Sequence, residues 1–75
     1  MKIDSKISHA SVKVFINDIL HIHFMRDKFV GLQSWQYETE SLYYIEITLS
    51  NGVITCDYDR RDLWIAVLSE LMKAR

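Results

Sequence analysis

An α+β fold is predicted, with five antiparallel strands in one bent meander and a single C-terminal helix packed on one face. Three observations predict it. Apolar residues alternate along five short runs between positions 10 and 58. Turn-forming residues separate those runs by only a few positions, too few for parallel crossovers. From residue 59 onward the apolar period lengthens to that of a helix. At 75 residues the chain is expected to be one domain, with 1–8 loosely held, 10–58 forming the sheet and 59–75 the helix.

The runs SVKVFI (11–16) and ILHIHFM (19–25) flank Asn17-Asp18, a pair that tolerates the positive φ of a tight hairpin. Arg26-Asp27-Lys28 then connects to FVGLQSWQY (29–37), and Glu38–Ser41 connects to LYYIEITLS (42–50). Asn51-Gly52, the strongest hairpin signal, precedes VITCDY (53–58). In the tail, Asp59 and Asp62 stand three apart like a capping box, and Leu63, Val67, Leu68 and Leu71 recur at helical spacing beside Trp64 and Met72. Lys73 and Arg75 suit the negative end of the helix dipole.

Unbroken registers through these turns divide the side chains between two faces. Phe15, Leu20, Ile22, Phe24, Val30, Leu32, Tyr43, Ile45, Ile47, Leu49, Ile54, Cys56 and Tyr58 are expected inward, under the helix. The outer face is expected to carry Val12, Val14, Ile16, Ile19, His21, His23, Trp35, Tyr37, Leu42 and Tyr44, with Gly31 opening a gap beside His23. One helix covers one face, so the other would form an apolar patch larger than monomers usually expose.

A net charge of −1, from nine basic and ten acidic residues, argues against nucleic acid and against a polybasic membrane anchor. No run reaches the roughly 20 apolar residues of a transmembrane helix, and the N-terminus lacks the pattern of a signal peptide. The lone Cys56 excludes a disulfide framework and fits a reducing, cytoplasmic setting. Buried under the helix, it reads as a small hydrophobe rather than a nucleophile.

His21 and His23 share a face at a spacing that can suit a metal, but zinc needs three or four ligands and His9 points elsewhere. No metal or cofactor is therefore expected. Cross-strand hydrogen bonding is the simpler role for the imidazoles, and pH-sensitive association near their ordinary pKa is the functional one. Glu38, Glu40, Glu46, Asp57 and Asp59 form an acidic set suited either to solvent or to a basic partner. Acids around the outward aromatics argue against base stacking. No catalytic set or glycine-rich phosphate loop is visible, so the chain reads as non-enzymatic.

The ending NGVITCDYDRRDLWIAVLSELMKA, a strand and then a helix with Trp64 in its first turn before Val67, Leu68 and Leu71, resembles the close of pleckstrin-homology-like domains. The likeness covers about a third of the chain and implies a helix closing one end of a bent sheet. Five strands fall short of that family's usual seven, and the basic phosphoinositide loop of many members has only Lys13, Arg26 and Lys28 in its place.

The functional expectation is a small protein-interaction module, homodimeric through the outer face, with Trp35 and Tyr44 as anchors. The alternatives are a small inhibitor or adaptor on a larger complex, or a module binding lipid or single-stranded nucleic acid.

Overall fold

Two separate sheets replace the expected single meander. A computed structural model of the chain describes residues 1–37 and 39–74. Six strands and a helix follow in the order β1 (Ile3–Ile7), β2 (Ser11–Ile16), β3 (Ile19–Met25), β4 (Phe29–Gln36), β5 (Tyr43–Leu49), β6 (Gly52–Tyr58) and α1 (Arg61–Met72). β1-β2-β3 form one three-stranded antiparallel sheet and β4-β5-β6 another.

The sheets part at Arg26–Lys28, one turn of 3-10 helix. Its two ends are tied to different places: the Arg26 N–H donates to the Ala10 carbonyl at 2.9 Å, and the Ser50 N–H donates to the Lys28 carbonyl at 2.7 Å. The chain therefore leaves β3 and starts β4 in the second sheet. This split meets the physical difficulty of a single sheet with two apolar faces. Each small sheet turns one face inward, and both inner faces share one core with the helix.

β1 lies where loosely held residues were expected. Ile3 and Ile7 pack against the core, while Ser5 between them turns inward and donates its hydroxyl to Glu70 Oε1 at 2.8 Å. A polar residue at the centre of the run hides its alternation, so the strand has no clear sequence signal. Asn17 holds its start: the Lys2 N–H donates to Asn17 Oδ1 at 2.9 Å, and the Asn17 N–H donates to the Lys2 carbonyl at 2.8 Å. Asn17 and Asp18 both have positive φ, 51° and 67°, as the hairpin reading of that pair requires.

Two bulges reset the faces. Phe15 pairs with Leu20 but Val14 pairs with Ile22, leaving His21 as the extra residue on β3. Val12, Val14 and Ile16 therefore share the inner face with Ile22 and Phe24, while Phe15 and Leu20 turn outward. In the second sheet Phe29 pairs with Leu49 and Gly31 with Thr48, so Val30 is extra and exposed. The last hairpin turns on Ser50-Asn51, with Leu49 opposite Gly52 and Ile47 opposite Ile54. That is a shift of two residues from the expected register, which keeps every side chain on its expected face.

The core consists of Val12, Val14, Ile22 and Phe24 from the first sheet, Ile45, Ile47 and Tyr58 from the second, and Val67 and Leu71 from the helix. Each large side chain buried there contributes about 1.5–3 kcal/mol. Helix α1 contacts β1, β2, β5 and β6, so it bridges both sheets. It starts later than expected, at Arg61. Asp59 does not cap it, and Asp62 instead pairs with Arg60, whose Nε donates to Asp62 Oδ1 at 3.1 Å. Lys73 pairs with Glu70 at the C-terminal end, and Arg75, expected there too, lies outside the described residues.

Candidate protein-interaction face

The outer face of β4-β5-β6 is built by strand alternation from Gly31, Gln33 and Trp35 on β4, Tyr44, Glu46 and Thr48 on β5, and Val53, Thr55 and Asp57 on β6. Trp35 lies directly opposite Tyr44, and the rings stack with centroids 5.4 Å apart and planes 12° from parallel. Tyr37 meets Tyr44 edge-on at 5.5 Å and is itself 51% exposed. The three rings form one continuous aromatic surface. Such stacks contribute about 0.5–1.5 kcal/mol beyond the area they bury.

The helix fixes this surface from behind. Trp64 packs on Tyr43 with centroids 5.0 Å apart, and its indole N–H donates to the Tyr44 carbonyl at 3.1 Å. Tyr43 is therefore held inward and its neighbour outward. The Tyr44 hydroxyl donates to Glu40 Oε2 at 3.2 Å. Burial against its neighbours, then this bond to a carboxylate, push the phenol's pKa up. The indole N–H of Trp35 is buried and has no hydrogen-bond partner among the described residues.

β4, β5 and β6 contain no lysine or arginine, and Glu46 and Asp57 both point from the outer face. The outer face of the first sheet has the reverse sign. There Lys6, Lys13 and His23 line up across β1, β2 and β3, with Lys6 Nζ 5.7 Å above the Phe15 ring. Asp4 is the single acid in those strands, and it lies 3.9 Å from Lys2. Two like charges directly opposite each other are unfavourable until an anionic surface meets them.

The ten residues expected on one surface are thus dispersed. Trp35, Tyr37, Leu42 and Tyr44 stay together on or beside the second sheet. Val12 and Val14 are core residues with 0% exposure, because the bulge at His21 inverts their face. Ile16 packs against the core, and Ile19 stands 72% exposed at the β2–β3 hairpin. His23 stands in the row with Lys6 and Lys13, and Gly31, expected beside it, is in the other sheet.

His21 turns toward the second sheet, where its Nε2 lies 2.6 Å from the Tyr58 hydroxyl. Desolvation lowers the imidazole's pKa, and burial drives the Tyr58 phenol well above its ordinary range. A neutral imidazole accepting from the phenol O–H satisfies both shifts. Glu38, part of the expected acidic set, lies outside the described residues. Among the described residues no three His, Cys, Asp or Glu side chains gather as a metal site would need, and no helix is long and apolar enough to cross a membrane. Cys56 is half-buried against the core, where burial raises its thiol pKa.

No family model matches the chain, nor does any curated protein or solved structure.

Proposed function

We propose that the chain is a small non-enzymatic protein-interaction module that self-associates through the outer face of β4-β5-β6. The observation that carries this reading is the Trp35–Tyr44–Tyr37 aromatic surface, set among Glu40, Glu46 and Asp57 and left uncovered by the helix. Large, stiff aromatics give contact area at small entropic cost, and they dominate interface energetics.

Charge selects the partner surface. A two-fold pairing of this face with itself would set Glu46 and Asp57 near their own copies. The Lys6–Lys13–His23 row of a second molecule complements them instead. Such a contact joins two different patches, so it is heterologous and allows head-to-tail growth beyond a dimer. The same acids disfavour a nucleic-acid backbone or an anionic lipid surface on this face.

Light scattering coupled to size exclusion tests the reading. The wild type is expected to gain mass with concentration and lose it in salt. Trp35→Ala and Lys13→Glu, which damage opposite patches, are each expected to be monomeric, and mixed together to form one-to-one heterodimers through their intact halves. A wild type that stays monomeric at millimolar concentration overturns self-association. A fixed two-copy mass with no rescue on mixing overturns the head-to-tail geometry.

A further inference from the structure

Away from the aromatic face, the end of the core near Arg26 contains a partly open cavity of about 240 Å³. Both sheets and the last turn of the chain wall it. Its apolar lining includes Val12, Phe24, Phe29, Leu32, Ile47 and Leu71, and among the described residues its one charged lining residue is Arg26. Phe24 and Phe29 stack along one wall with centroids 5.8 Å apart. Protein interiors seldom leave voids larger than a water molecule, and each one costs stability in proportion to its volume. An apolar cavity of roughly 150 Å³ is already large enough to hold benzene.

Arg26 is held at the mouth of this cavity by two backbone carbonyls. Its Nη1 donates to the Ser8 carbonyl at 3.1 Å and its Nη2 to the Ala74 carbonyl at 2.9 Å. Both acceptors are neutral. Among the described residues no carboxylate forms an ion pair with it. Two of the guanidinium's five N–H donors are used by these carbonyls, so with respect to the described residues three donors and the full positive charge remain for a ligand.

We propose that the cavity binds a small amphipathic carboxylate, with the hydrocarbon chain among Val12, Leu32, Ile47 and Leu71 and the carboxylate on Arg26. The apolar walls supply area that is poorly hydrated when empty, and the guanidinium supplies a charge-assisted contact that discriminates an acid from an alcohol. This site is independent of the aromatic face and does not require self-association.

Calorimetry and amide-shift NMR with octanoate and with 1-octanol as probes test the proposal. Octanoate is expected to bind one site saturably, about tenfold tighter than octanol, through the charged contact. Shifts are expected around Phe24, Leu32, Ile47 and Leu71. Arg26→Gln is expected to erase the preference for the acid while octanol still binds. Leu32→Phe and Ala74→Leu, two separate ways of filling the space, are expected to lose both probes while still unfolding cooperatively. Absence of saturable binding, equal affinity for acid and alcohol in the wild type, or shifts centred on Trp35 and Tyr44 would each overturn the proposal.

Discussion

Val14 faces Ile22, not His21, across β2 and β3. The single extra residue of the bulge decides which side of β2 is dry. Val14→Lys is therefore expected to place an unpaired ammonium in the core and to unfold the domain, or cost several kcal/mol. Phe15→Lys, one position on, is expected to stay within about 1 kcal/mol of the wild type, since that side chain points outward. Denaturant titration of the pair checks the register, and equal destabilisation by both would contradict the bulge.

Folding and association should separate by residue. Ile47→Ala empties a fully buried position and is expected to cost about 2–5 kcal/mol. Trp35→Ala removes a half-buried ring from the outer face, so its effect on the urea midpoint is expected to be smaller than its effect on the mass measured by light scattering. If Trp35→Ala unfolds the protein as readily as Ile47→Ala, the ring is a core element and not an anchor.

The first strand is expected to be essential. β1 supplies Ile3 and Ile7 to the core and Ser5 to Glu70. Removing residues 1–7 strips the helix of a principal contact, and circular dichroism should show loss of cooperative unfolding. A truncated chain with an unchanged melting curve would show that β1 is dispensable.

The His21–Tyr58 contact gives a pH dependence whose sign follows from the imidazole shift. Its pKa in the folded protein lies below the ordinary 6.5, so the folded state favours the neutral ring. The associated stability is fully present above 6.5 and is lost as pH falls from there through the folded pKa. The effect is small because the side chain is largely exposed and screened by solvent. His21→Gln is expected to flatten the melting temperature between pH 7 and 5 relative to the wild type. Tyr58→Phe is expected to cost about 1 kcal/mol at neutral pH, through the lost hydrogen bond. A steeper acid loss in His21→Gln than in the wild type would reverse the assigned sign.

Local rules in the sequence determined much of this protein. Alternation identified the strands β2 to β6, the Asn17-Asp18 pair its hairpin, and the lengthened apolar period the helix. Within the second sheet, parity placed Tyr43 inward and Trp35 and Tyr44 outward, because a register error of two residues leaves every face unchanged. The absence of lysine and arginine from β4, β5 and β6 was also open to reading, although it acquires meaning only once those strands form a sheet of their own.

Tertiary structure alone decided the rest. Alternation reports the period of a strand but not its partners, so one meander and two separate sheets read alike. Whether Val12 and Val14 are wet or dry depended on one unpaired residue, His21, that no local propensity marks. β1 became a strand by pairing with β2 and packing Ile3 and Ile7 on the core, with Ser5 bonded to Glu70 sixty-five residues away, and the cavity beside Arg26 exists only where both sheets and the end of the helix meet. Long-range pairing supplies these free energies, and they have no local counterpart in the chain.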